Sequence, residues 1–400
     1  MLTLVEMDPV KNPFNPGAGT RPPALVGRDE LLSAFDVTLQ RALGGRPGKS
    51  MMPTGLRGVG KTVLLNEFVA IGERLGFCGA LIEASETGNL AALLAIELRK
   101  ALFQLDRGRI VSEVVRRGLR VLKSFAVTMT PDGMPAFEIG IDAERGQADS
   151  GNLVRDLTDL LVAVGEACRD QGRGLLVAID EVQYLSAAEL GSLISAVHRT
   201  TQLSLPVVLV GAGLPQVPAL AGEAKSYSER LFNFPIVDSL GEPQAREAVE
   251  KPARDAGGEF QDDALAEIVR VTHGYPYFIQ EWAYQIWNHA PNAPITYADV
   301  RGVEEIVLRQ LDENFFRVRF DRLTPTERRY LRAMATLGPG AHRSGEIAER
   351  YGAKVASVAP MRSALIKKGM IYSPQHGDTA FTVPLFDEFM LRAMPDDLHA

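Results

Sequence analysis

Cysteine is nearly missing from this chain. Two cysteines in 400 residues, Cys78 and Cys168, cannot build a disulfide scaffold, so the expected compartment is reducing and cytoplasmic. Long apolar runs are missing too. None approaches the roughly 18 residues a membrane span needs, and no membrane partner is expected. The first residues, MLTLVEMDPVKNPF, lack a basic segment followed by an apolar one, so no secretory leader is expected. An excess of positive charge is absent as well. Lysine plus arginine number 43 against 50 aspartates and glutamates, a net charge of −7. That excludes a uniformly basic nucleic-acid coat and leaves room for a local basic patch. No internal repeat is visible. The remaining composition, 46% apolar and 23% charged, is that of a globular chain of two or three domains.

Residues 1–24 carry Pro9, Pro13, Pro16, Pro22 and Pro23 and read as an extended, weakly structured arm in which Phe14 could dock. Helical spacing of Leu31, Leu32, Phe35 and Leu39 predicts a first helix from 29 to about 43. Buried-strand patterns follow at 78–83, 175–179 and 206–210, separated by helical patterns at 63–75, 90–105, 153–169 and 187–200. Continuous apolar strands alternating with helices predict βαβ units and a parallel sheet. Between 106 and 150 the pattern changes. Arg107, Arg109, Arg116, Arg117, Arg120 and Lys123 suggest a basic helix. The runs 125–129 and 136–140 around Pro131-Asp132-Gly133 suggest a hairpin inserted into the core. From 242 to 288 the pattern is helical only, and a further helix is expected over about 297–319.

The sequence Gly55-Leu-Arg-Gly58-Val59-Gly60-Lys61-Thr62 matches G-x-x-x-x-G-K-[ST]. Glycines let a backbone wrap phosphates closely with its N–H groups pointing inward, here from Gly58 through Val63. The helix that follows adds the positive end of its dipole. Lys61 is the candidate for the β- and γ-phosphates and Thr62 for Mg²⁺. Asp180 and Glu181 close the apolar run 175–179. A carboxylate at the C-terminal end of a buried parallel strand lies beside the loop that binds phosphate. Asp180 is therefore the second expected Mg²⁺ residue, and Glu181 the general base that polarises the attacking water. The alternative for Glu181 is an acid that only complements a helix dipole.

These two motifs make the chain resemble an AAA+ or STAND-type P-loop ATPase, similar to the origin-recognition-like ATPases with a C-terminal winged helix. Leu25-Val-Gly-Arg28 resembles the hydrophobic-Gly-Arg box of these families, which implies that Arg28 lines the adenine side. Gly274-Tyr-Pro276 resembles the Gly-x-Pro motif of the STAND lid, which implies that Pro276 packs near the adenine. Arg230 stands where these families place an arginine that stabilises charge on the transferred phosphoryl group; a surface ion pair with Glu229 or Glu223 is its alternative. Two departures stand out. The strand ending Val210-Gly-Ala-Gly213 carries no polar sensor, for which only His198 or Gln202 could substitute, and the lid lacks a sensor arginine.

Residues 321–400 read as a small winged helix-turn-helix: helices from Thr324, from Gly345 and over 357–369, then a two-stranded wing at 370–372 and 380–383. Between 321 and 372 there are 10 Arg/Lys and 4 Asp/Glu, a net of +6 on an otherwise acidic chain. Arg362, Lys367 and Lys368 are candidate DNA contacts on or after the third helix, with Arg343 and Lys354 on the backbone.

The expected fold is α/β: a P-loop NTPase parallel sheet over 25–238 with the insert 106–150, a helical lid and connecting helix over 239–320, and the winged helix over 321–400. The expected activity is slow ATP hydrolysis by a molecular switch using ATP and Mg²⁺, with nucleotide state coupled to double-stranded DNA through the winged helix. The alternative is a signalling or scaffold ATPase in which the winged helix packs on the core and ATP controls self-association or a protein partner.

Overall fold

The structure, a computed structural model, describes residues 5–17, 19–105, 112–129 and 142–395. The chain divides into two compact units. One comprises Arg28–Thr54 and Lys61–Ile236, the other Met1–Gly27, Gly55–Gly60 and Val237–Ala400.

The first is built on a parallel sheet. Phe77–Glu83 pairs with Gly174–Asp180, which pairs with Val207–Gly211, all parallel. Ser50–Met51 pairs in parallel with Phe232–Asn233, and parallel bridges from Thr54 to Gly213 and Ile236 insert it between Val207–Gly211 and Phe232–Asn233. Every residue of Gly174–Asp180 is buried, which explains its unbroken apolar run. The helices Leu90–Leu105, Glu113–Met129, Leu153–Asp170 and Ala187–Gln202 complete the core around this sheet. Cys78 and Cys168 are free and buried within it.

The insert carries the expected basic helix, but the first strand of the expected hairpin is absent. Residues 125–129 are not a strand: they finish the helix Glu113–Met129. Val115, Leu119, Leu122, Phe125 and Ala126 lie on one buried face, so helical burial overrides the strand propensity of 125–129. The Pro131–Gly133 turn, the run 136–140, Arg107 and Arg109 lie outside the described residues. The cations are also less isolated than the local sequence suggests. Arg117 pairs with Glu166 at 3.0 Å, and Arg120 pairs with Glu144 at 2.7 Å and Glu113 at 2.8 Å.

The other unit is mainly helical. The helices Glu242–Asp255, Asp262–Thr272 and Pro276–His289 follow one another, and the single helix expected over 297–319 is broken. It runs as Tyr297–Gly302, Glu304–Gln310, a π turn Leu311–Phe316 and Arg317–Phe320. The N-terminal arm is docked here rather than loose. Val5–Glu6 pairs antiparallel with Asn292–Ala293, and Phe14, 2% exposed, meets the Trp287 ring edge-on at 6.2 Å.

The C-terminal part folds as helices Pro325–Ala335, Ser344–Tyr351 and Val355–Lys367, then antiparallel strands and the helix Phe386–Ala393. Thr324 and Glu327 form the expected capping box. The strands Ile371–Tyr372 and Asp378–Phe381 pair as expected, and a third, His342–Arg343, joins the other edge of Asp378–Phe381. Among the described residues no helix is long and apolar enough to cross a membrane.

Candidate phosphate-binding site

Lys61 opens the helix Lys61–Arg74 and is 8% exposed. The next residue, Thr62, donates its hydroxyl proton to Asp180 Oδ2 at 2.6 Å. Thr62 and Asp180, 118 residues apart in sequence, therefore meet inside one unit. Asp180 is buried at the end of its strand, and its other oxygen accepts the backbone N–H of Glu181 at 2.8 Å. Burial raises the Asp180 carboxyl above its ordinary pKa. The Thr62 and Glu181 N–H hydrogen bonds and the Lys61 charge oppose that rise, while the Glu181 charge adds to it.

Glu181 follows in left-handed backbone, φ 54 and ψ 40. Non-glycine residues hold such a conformation only where surrounding bonds impose it. Those bonds are present: Val182 N–H donates to Ala212 O at 3.0 Å, and Ala212 N–H to Ile179 O at 2.8 Å. The side chain of Gln183 donates to Glu181 Oε2 and accepts Leu214 N–H at 3.0 Å. Nothing in local pattern singled Gln183 out; only the fold brings residues 183 and 214 together.

The strand end that lacks a polar sensor is shaped by the same turn. A Cβ on Gly211 would approach Val182 Cγ2 at 2.7 Å, and one on Gly213 would approach Gln183 Oε1 at 2.7 Å. The suggested substitutes occupy each other: His198 Nε2 and Gln202 Nε2 lie 3.4 Å apart, and the His198 ring lies 5.0 Å from that of Tyr227. Arg230 is exposed on the short helix Ser228–Leu231, and neither Glu229 nor Glu223 pairs with it among the described residues. Arg28 caps the helix Asp29–Leu43 and is half-buried; Val63 lies in the first turn after Lys61.

The glycine-rich segment belongs to the other unit. Gly58 and Gly60 have φ of 83° and 89°, open only to glycine at low cost. A Cβ on Gly55 would fall 2.0 Å from the carbonyl oxygen of Val237. Val59 is buried. Pro276 is the first residue of its helix, and the next, Tyr277, donates its N–H to Gly58 O at 3.2 Å. Arg57 N–H donates to Thr382 O at 2.9 Å, so the segment after Asp378–Phe381 also touches this loop. Neither contact is legible in the sequence.

The residues fit a nucleotide with a divalent cation. Within the first unit the helix start presents an ammonium at Lys61 and a hydroxyl at Thr62, with the buried Asp180 carboxylate bonded to that hydroxyl. Together these are the donors phosphate and Mg²⁺ require.

The five candidate DNA cations have different surroundings. Arg362 donates to Thr379 Oγ1 and Asp378 O, both at 2.7 Å. Arg343 pairs with Asp378 at 3.2 Å and Lys368 with Glu327 at 2.8 Å. Lys354 and Lys367 are exposed at the two ends of the helix Val355–Lys367.

A family model described as an AAA ATPase domain matches residues 24–210, and one described as a domain of unknown function matches residues 313–390. Among solved structures the chain is similar to a Walker-type ATPase of Pyrococcus abyssi, at 18% identity and a TM-score of 0.54, covering 93% of this chain and 97% of that one. At that identity the likeness concerns the fold alone. The Orc1 protein of Aeropyrum pernix in complex with DNA is matched at 16% identity and a TM-score of 0.44, covering 93% and 94% of the two chains. The RuvB Holliday junction branch migration motor of Thermotoga maritima is matched at 14% and 0.44, covering 88% and 92%. No curated protein matches the sequence.

Proposed function

We propose, from the match of residues 24–210 to the AAA ATPase domain model, that the chain is a slow, ATP-hydrolysing molecular switch. The observation that carries this reading is the 2.6 Å contact between Thr62 and Asp180. It joins the phosphate loop's hydroxyl to the acid at the strand end, the pair that holds Mg²⁺ in this chemistry. Bound Mg²⁺ would supply charge neutralisation on the phosphates. Lys61 binds the β- and γ-phosphates, and the N–H groups from Gly58 to Val63 orient them. Glu181 takes a proton from the attacking water. Arg28 lies on the adenine side, and Arg230 stabilises the transferred phosphoryl group from a neighbouring copy or from the same chain.

The output of the switch is the C-terminal part, which we read as a winged helix-turn-helix over 321–400 following a lid over 239–320. Support comes from Arg57 N–H on Thr382 O and Tyr277 N–H on Gly58 O, two bonds that a rearranging phosphate loop must break or keep. The second of them also favours the STAND variety of the class, because it starts at the Gly-Tyr-Pro turn. These contacts favour the latch reading, in which ATP controls self-association or a protein partner. The net charge of +6 between 321 and 372 favours the other, double-stranded DNA, with Lys354 and Lys367 as its exposed cations.

Steady-state ATP hydrolysis by the wild type and Glu181→Gln, with and without double-stranded DNA at moderate salt, tests both. The switch reading expects turnover in the wild type and its loss in Glu181→Gln with ATP binding kept. DNA stimulation expressed only by the wild type selects DNA as the partner. Turnover indifferent to DNA selects the latch. Equal turnover in the two proteins would overturn the assignment of Glu181.

A further inference from the structure

Gln183 holds the carboxylate of Glu181 with one end of its amide and the loop after Val207–Gly211 with the other. Its orientation is dictated by its partners. Leu214 N–H can only donate, so it takes Oε1; the Glu181 carboxylate can only accept, so it faces Nε2. The loop it grips is itself fixed. Gly213 N–H donates to Pro53 O at 3.1 Å, and Ala212 O accepts Val182 N–H at 3.0 Å. Pro53 stands directly before Thr54 and the phosphate loop. The bare Gly211-Ala-Gly213 strand end is thus the surface against which this amide fits, with Gly213 leaving no space for a Cβ beside Oε1.

We propose that Gln183 is the positioning residue for Glu181. It donates to the carboxylate and ties it through Leu214 to the loop that a polar strand-end residue would otherwise serve. This rests on the reading of Glu181 as the base that polarises water. Gln183 acts through Glu181 and touches no reacting atom itself. A base oriented by a donor loses rate when that donor is removed, while nucleotide affinity, set by the phosphate loop, stays.

Gln183→Glu separates the two ends of the amide. It keeps an oxygen for Leu214 N–H and replaces the donor to Glu181 by a like charge. Gln183→Ala removes both. The measurements are single-turnover ATP cleavage, the Kd for ATP and the thermal unfolding midpoint, with Glu181→Gln run in parallel. The expected result is a cleavage rate about 10- to 100-fold lower in both variants, ATP affinity within about twofold of wild type, and a wild-type unfolding midpoint for Gln183→Glu. Wild-type cleavage by Gln183→Glu would overturn the proposal, because the bond to Leu214 alone would then account for the residue. If Gln183→Ala does not fold, Gln183→Glu still decides. Should Glu181→Gln itself cleave ATP normally, the reading beneath the proposal fails and takes it down. If only Glu181→Gln is impaired, that reading stands and Gln183 loses its role.

Discussion

Arg57 gives its backbone N–H to the carbonyl of Thr382 across 325 positions of sequence, at 2.9 Å. The donor is in the phosphate loop and the acceptor follows the last strand of the C-terminal sheet. Aromatic rings run alongside. Tyr277, whose N–H meets Gly58 O, stacks on Phe315 at 4.6 Å, and Phe316 stacks on Phe389 at 5.2 Å in the terminal helix. Phe315 and Phe316 sit in the π turn that interrupts the expected long helix, a feature that recurs at functional positions.

This arrangement predicts an exchange signature. Without nucleotide, the Arg57 amide should be protected from hydrogen exchange by its bond to Thr382. In the Glu181→Gln protein loaded with ATP and Mg²⁺, its exchange should accelerate by about tenfold or more, as expected when a local contact opens. Site-resolved exchange at residues 55–60 and 380–386 measures this. Unchanged protection on ATP loading would remove the C-terminal part from the output of the switch.

Lys61→Ala should abolish nucleotide binding. Lys61 is nearly buried at the start of its helix, and in the proposed site its ammonium is the charge assigned to the phosphates. Removing a buried, charge-assisted contact costs about 1.5–3 kcal/mol or more, a loss of at least about tenfold in affinity. Titration with a fluorescent ATP analogue reads it directly. Tight binding by the variant would refute the phosphate-loop assignment.

Much of the candidate site was legible because its motifs are local. Lys61-Thr62 follows its glycines directly, Asp180-Glu181 ends an apolar run, and both patterns reflect backbone geometry that a few consecutive residues dictate. The sheet was legible for the same reason, since strands buried on both faces are apolar throughout. The docked arm was not, because Phe14 finds Trp287 only in three dimensions. Nor was the continuation of Glu113–Met129 through residues 125–129, whose side chains suit a strand until burial on one helical face decides. Gln183 and Thr382 act through partners 31 and 325 residues away, a distance at which periodicity carries no information.

Asp180 makes a pH prediction. Burial raises its carboxyl above the ordinary value, so the folded protein binds that proton more tightly than the unfolded chain. The stabilisation from protonation is complete below the unfolded value of about 3.9. It is lost as pH rises through the higher native value. The wild type should therefore gain stability relative to Asp180→Asn as pH falls from 7 towards 4. Nucleotide-free unfolding midpoints of the two proteins at several pH values measure it. A difference independent of pH would mean the carboxyl is not penalised by burial.

The candidate DNA cations separate into two behaviours. Arg362 holds Thr379 and the backbone of Asp378 against the third helix, so Arg362→Ala leaves buried acceptors unmet. It should destabilise the C-terminal part by about 1–3 kcal/mol, seen as a lower unfolding midpoint. Lys354 and Lys367 are exposed, and replacing either by alanine should change stability by no more than about 0.5 kcal/mol. If the helix Val355–Lys367 touches a DNA backbone, each lysine variant should weaken binding for every sequence and reduce the salt slope by about 1. Titrations of wild type, Lys354→Ala and Lys367→Ala with a random-sequence duplex at several salt concentrations test this. Slopes identical in all three proteins would assign the basic surplus to a solvated face and leave the contact with the phosphate loop as the role of the C-terminal part.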